Sequence, residues 1–267
     1  MTAHRLITIP ISHYCEKARW ALEWAGIPYT EEGHLQGFHI RHVYRAAKSD
    51  SVPVLVTQEG TFGDSTRILK WADSKAPSDH KLYPSDPELR QEVDALEDKF
   101  DEKLGVAGRL WMYTYMLDQM PLLLKYTKLY RVPRLEKILM PILFPLIQGK
   151  IRSWLRLTPR SREETRLLVD RIFDRTAERL SDGRTYLTGN HFTAADLTFA
   201  ALSAAVLLPD DYGVSLPRLE ELPVEMAEQI RKWRKHPAGQ FALKIYRDCR
   251  NLKRAPVSAS SPARRPV

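Results

Sequence analysis

With 267 residues, 43% of them apolar, the chain can bury a sizeable core in one large or two smaller domains, which excludes a disordered or fibrous protein. Its 41 Lys and Arg against 33 Asp and Glu leave a net charge of +8, which favours anionic partners without choosing among small acids, phosphates, nucleic acid and membrane surfaces. Two cysteines, Cys15 and Cys249, without neighbours at zinc spacing argue against a disulfide framework and a structural metal. There is no leader-like start and no run of about 18 apolar residues, so the expectation is a cytoplasmic protein.

An apolar run over residues 6 to 11 predicts a first strand, and Ala18, Ala21, Leu22 and Ala25 repeat at helical spacing directly after it. At the junction stands Ser12-His13-Tyr14-Cys15, with the spacing of a C-x-x-C redox pair in which serine replaces the first cysteine. Residues 29 to 35 predict a second strand, 38 to 48 a short irregular helix, and 51 to 57 a third strand. A turn at Glu59-Gly60 then leads into a brief strand near Thr61 and Phe62 and a helix from Ser65 to about Lys75. The order β-α-β-α-β-β-α describes a small mixed sheet flanked by helices. Residues 75 to 88, with three prolines and alternating charge, read as a linker.

Beyond it the pattern is helical: 88 to about 131, an apolar stretch over 135 to 157 interrupted by Pro141 and Pro145, then 161 to 181, 193 to 208 and 223 to 236. The expected organisation is an α/β domain over 1–76, a linker over 77–87, an all-helical domain over 88–250 and a basic Pro/Ser/Ala tail over 251–267. That tail has no composition able to pack, and nucleic-acid binding by it is not expected.

Four signals in this order resemble the cytosolic glutathione transferases of bacterial type: Ser12-x-x-Cys15 opening the first helix, Val52-Pro53 entering a strand, Asp64-Ser65 opening the third helix, and Thr193-Ala194-Ala195-Asp196 opening a late helix. The resemblance spans residues 4 to 250. It implies a thioredoxin-like N-terminal domain that binds glutathione, an all-α C-terminal domain that holds the electrophile, and a two-fold homodimer. The implied activity is a detoxifying glutathione transferase with glutathione as co-substrate and no metal.

The residues support that chemistry on their own terms. A helix N-terminus carries unsatisfied N–H groups and about half a positive charge, so it favours an anion such as a thiolate. Ser12 cannot be the sulfur, but its hydroxyl can donate to one brought by a ligand. Lowering a thiol from about 8.5 by two units requires about 2.7 kcal/mol, which one charge-assisted hydrogen bond and a helix terminus can supply. Serine also caps helices routinely, so the local reading leaves a purely structural Ser12 open. Cys15 is either an inert small hydrophobe or, at the same terminus, the thiolate of a cysteine-based thiol transferase. Tyr14 could donate to a thiolate, although its place inside the helix favours packing.

The remaining roles come from the resemblance. Pro53 is cis in the family, and Val52 then faces the cysteinyl part of glutathione. Ser65 and the terminus of the third helix would hold the γ-glutamyl carboxylate, with Asp64 toward its amino group; as plain caps the two explain the helix equally well. His39 and Lys48, from a basic cluster over 38 to 48, are the candidates for the glycyl carboxylate. Thr193 and Asp196 form a capping box, a structural role in either reading.

Trp111 and Tyr115, four residues apart and accompanied by Met112, Met116 and Met120, are candidates for a hydrophobic electrophile pocket, with an ordinary core as the plain alternative. Residues 122 to 157 extend the helical domain and are expected to cover the pocket or contact a second copy, ahead of peripheral membrane contact through Lys150, Arg152 and Arg156. Conjugation or glutathione-dependent peroxide reduction is the leading activity. The alternative is a non-catalytic relative that binds a partner or membrane through its helical surface.

Overall fold

The structure, a computed structural model, describes residues 4–250, so the tail over 251–267 lies outside the described residues. The N-terminal unit runs β1 (His4–Thr8), α1 (His13–Trp24), β2 (Tyr29–Gly33), α2 (His39–Ala47), β3 (Val54–Thr57), β4 (Gly60–Gly63) and α3 (Ser65–Lys75). Its sheet has the order β2-β1-β3-β4, with β1 and β2 parallel and the other two pairings antiparallel. This is the thioredoxin-like βαβαββα arrangement. Leu6, Ile7, Val54 and Leu55 of the central strands are fully buried, as a sheet covered on both faces requires.

A segment containing the 3₁₀ turn Ser78–His80 leads to the helical unit: α4 (Pro87–Lys99), a π-helical stretch Phe100–Gly105, α5 (Val106–Met116), α6 (Met120–Thr127), α7 (Arg134–Leu155), α8 (Pro159–Leu180), α9 (Ala194–Leu207), α10 (Val224–Lys235) and α11 (Pro237–Ile245). α11 lies beyond the last helical stretch expected from the sequence, 223 to 236, and begins with Pro237 in its first turn, where the missing N–H costs nothing. α9 is buried along its whole length and forms the axis of the helical core. Asp196 accepts from the Thr193 N–H at 2.9 Å and, beyond the expected capping box, from the Leu187 N–H at 2.8 Å. Burial pushes its carboxyl up to about 6.

The expected break at Pro141 and Pro145 does not occur: α7 runs unbroken through both. Both prolines lie on its exposed side, where the carbonyls they leave without donors face water instead of the core. Among the described residues no helix is long and apolar enough to cross a membrane.

Buried charges fasten the units together. The fully buried Lys17 ammonium of α1 reaches Glu97 at 2.8 Å, Asp101 at 2.5 Å and the Thr66 hydroxyl at 2.8 Å, so α1, α3, α4 and the π-helical stretch meet on one cation. On the other side of α1, Glu16 accepts from Arg19 at 3.0 Å and Arg250 at 2.7 Å. Burial pushes Glu16 up, but the two guanidiniums override it and hold the carboxyl below its usual range. Such networks stand only when every member is paired, so they fix the angle at which α1 enters the domain interface.

Candidate active site

Ser12 is the N-cap of α1, in extended backbone (φ −69°, ψ 124°), and its oxygen accepts from the Cys15 N–H at 3.4 Å. The cap uses a lone pair of the Ser12 oxygen, and the hydroxyl also donates to the Cys15 side chain, an internal acceptor that a ligand's thiolate would replace if Ser12 served both as cap and as activator. Ser12 opens onto a cavity of about 1000 Å³ between the loops over 9–14, 35–40 and 50–52 and helices α5, α6 and α7. Its walls are mainly apolar, with Ile9, Phe38, Met116, Leu123, Phe144 and Ile147 among them.

Cys15 does not line this cavity. It is fully buried, and burial pushes its thiol up to about 11 despite Arg19 and the Ser12 hydrogen bond. The candidate thiolate is therefore a protonated core thiol: desolvation outweighs the helix terminus. Tyr14 lines the cavity but donates its phenol to the Asp101 carbonyl oxygen at 2.8 Å. A Cβ on Gly105 would collide with that phenol oxygen, so glycine is what lets α5 pass there. His13, its ring tilted against that of Tyr14 with centroids 4.5 Å apart, bonds the Gly105 carbonyl oxygen at 3.0 Å, and burial with the nearby Arg109 cation pushes its imidazole down to about 3.

The Val52–Pro53 peptide bond is cis and Val52 lines the cavity. The Pro53 carbonyl oxygen accepts from the Asp64 N–H at 3.2 Å, which brings the α3 terminus beside it. Asp64 caps α3 through Oδ1 alone, accepting from Thr66 N–H at 2.8 Å and Arg67 N–H at 3.3 Å, so Oδ2 is left for another partner. Its φ of +91° lies where L side chains rarely go, and such strain persists only when the surroundings impose it, often at ligand sites. Ser65 follows at 2% exposure, as the first residue of α3.

The two candidates for the glycyl carboxylate are placed differently. His39 lines the cavity, yet its Nδ1 accepts from the Gly37 N–H at 3.1 Å and its Nε2 bonds the Asp50 carbonyl oxygen at 3.2 Å. Burial lowers its pKa, and a neutral ring with both nitrogens engaged ties two loops together and has no group left for a ligand. Lys48 is exposed in left-handed backbone after α2, its ammonium 5.2 Å from the centre of the Tyr44 ring, and does not reach the cavity wall.

Helix phase corrects the electrophile pocket. Arg109, Met112, Tyr113 and Met116 line the cavity, three and four residues apart on one face of α5. Trp111 is on the opposite face, fully buried against Trp233 at 4.6 Å, and Tyr115 packs beneath Arg162 at 4.1 Å. Met112 and Met116, named with them, do reach the cavity; the two aromatic residues do not.

The cavity roof, α6 and α7, carries its own small core of Leu35, Tyr126, Tyr130, Met140 and Phe144. It is fastened to the sheet by a clasp that the sequence does not announce. His34, 2% exposed, bonds Glu136 Oε1 of α7 through Nδ1 at 2.6 Å and Glu32 Oε1 through Nε2 at 2.9 Å, while Glu136 Oε2 accepts from the Leu35 N–H at 2.8 Å. Burial alone would lower His34, but the two carboxylates raise it to about 9. A lone Glu among the basic residues at the head of α7 is the only local signal of it.

Residues 6–80 match the family model of the glutathione S-transferase N-terminal domain. The chain has the glutathione transferase fold. Among solved structures it is similar to a glutathione S-transferase of Xanthobacter autotrophicus Py2, with 16% identity, TM-score 0.60 and 96% of each chain covered. It is also similar to the beta-etherase LigF of Sphingobium sp. strain SYK-6, with 17% identity and TM-score 0.59 over 91% of this chain and 99% of that one. A third is the theta class glutathione S-transferase of Xanthomonas axonopodis pv. citri with glutathione bound, with 17% identity and TM-score 0.54 over 91% and 98%. No curated protein matches the chain in sequence. At these identities the likeness to the glutathione transferases is one of fold.

Proposed function

We propose that the protein is a glutathione transferase in which Ser12 polarises the thiol of bound glutathione for attack on a hydrophobic electrophile. The observation that carries this reading is the Ser12 hydroxyl at the α1 terminus, opening onto the same apolar cavity as Val52. In this reading the γ-glutamyl group lies at Ser65 and the α3 terminus, with the free Oδ2 of Asp64 toward its amino group. The cysteinyl backbone pairs with Val52, and the sulfur sits at Ser12. The positive end of α1 and the hydroxyl both favour thiolate over thiol, and the apolar walls of the cavity hold the electrophile within reach. No metal enters the reaction, and a homodimer belongs to the same reading. The same thiolate would serve a peroxidase, whereas thiol transfer through Cys15 is disfavoured by its burial.

The test is retention on immobilised glutathione followed by conjugation kinetics of wild type and Ser12→Ala. The variant should slow conjugation near pH 7 by about ten- to a hundredfold and shift the pH–rate profile upward, with glutathione affinity changed far less. Failure to bind glutathione at all would leave a non-catalytic relative using its helical surface.

A further inference from the structure

Arg109 is a cation without an ion pair. It projects from the cavity face of α5 beside His13 and Tyr14, its guanidinium carbon 6.0 Å from the centre of the Tyr14 ring. Its Nε is buried and has no hydrogen-bond partner. No carboxylate among the described residues pairs with it, and the one acid lining the cavity is Asp50, exposed on the α2–β3 loop. The charge is felt along the wall: burial dominates the shifts of His13, Tyr14 and Tyr113, and the Arg109 cation lowers each of them.

A partly buried guanidinium facing apolar walls is costly to hold without a counter-charge, and that cost is recovered when an anion binds. Guanidinium matches a carboxylate with two parallel N–H donors and is more weakly hydrated than an ammonium, so it suits a carboxylate entering an apolar cavity. Its neighbours Met112 and Met116 on the same face are adaptable apolar surface for the body of such a ligand. We infer that Arg109 is a specificity-determining residue, and that the electrophile taken by this cavity is an apolar molecule carrying a carboxylate. The inference rests on the transferase reading for the word electrophile, but the anion subsite itself does not.

Calorimetric titration with decanoate and decanol, below their aggregation limits, tests the subsite without turnover. Wild type should bind decanoate at least about tenfold more tightly than decanol. Arg109→Met should abolish that preference, Arg109→Lys should keep part of it, and glutathione affinity should stay within about twofold in both. Equal binding of the two probes by wild type would overturn the inference, and this needs no variant to fold. So would a preference that survives Arg109→Met, or a glutathione affinity that falls as far as that for decanoate, which would assign the cation to glutathione. Conjugation of an α,β-unsaturated ketone bearing a terminal carboxylate, compared with its methyl ester, separates the two levels. An Arg109-dependent probe preference with no conjugation of either compound sinks the transferase reading and supports the subsite; conjugation of both at equal kcat/KM overturns the inference and keeps the transferase.

Discussion

Replacing Glu136 with glutamine tests whether one charged clasp holds α7 against the N-terminal sheet. His34 is raised to about 9 from an ordinary 6.5 by Glu136 and Glu32 against the opposing effect of burial. A group whose folded pKa is raised contributes its full stability below the unfolded value, and loses it as pH climbs through the folded one. From about pH 6.5 to 9 the folded protein therefore holds a proton that the unfolded chain releases, and stability falls by up to ~1.4 kcal/mol per pH unit, with a ceiling of about 3 kcal/mol. His34 is 2% exposed, so solvent screening takes little from that figure. The Glu136→Gln side chain keeps an oxygen for the Leu35 N–H and removes only the charge. Glu32, which also faces Arg5 and His42, remains and preserves part of the shift.

The assay is urea denaturation followed by circular dichroism from pH 6 to 8.5, read as the difference between wild type and variant, in which groups that titrate alike in both proteins cancel. Glu136→Gln should cost about 1–3 kcal/mol at pH 6 and flatten the fall toward pH 8.5 by roughly half. Parallel stability curves for wild type and variant would refute the clasp as a charged pair.

Cys15 should resist alkylation in the native protein at pH 7.5 and react once urea unfolds it, and Cys15→Ala should leave conjugation within about twofold. Rapid native alkylation, or loss of conjugation in that variant, would return the thiolate to Cys15. Ser65→Ala should weaken glutathione binding by about tenfold with the helical circular-dichroism signal intact; an unchanged calorimetric affinity would remove Ser65 from the site.

The N-terminal unit is legible because its signals are local. A serine before an amphipathic run is a cap whatever the rest of the chain does, and Ser12 caps α1. Pro53 reads from the sequence as a strand entrance, and β3 begins one residue later. Asp64-Ser65 reads as a helix start, and α3 starts there. Each depends on contacts within three or four residues. His39 stands out from the basic cluster by residue type alone, and residue type does not say that Gly37 and Asp50 have already taken both of its nitrogens.

The electrophile side fails for a related reason. Choosing Trp111 and Tyr115 rests on size, whereas the cavity wall is decided by phase, and a step of two residues along an α-helix turns a side chain more than half-way round. The face that counts, Arg109, Met112 and Met116, holds a single charge within the apolar run of α5, and that lone charge is visible in the sequence. An unpaired cation is tolerated inside an apolar helix face only where something compensates it, so such a residue is better evidence for a ligand than the aromatic pair beside it. The clasp has no comparable signature. His34 and Glu136 are about a hundred residues apart and belong to a strand end and a helix head that touch only once α7 has folded over the cavity. A contact of that range is set by the length and phase of α7, and both are misjudged as soon as Pro141 and Pro145 are read as breaks and not as prolines on a solvent face.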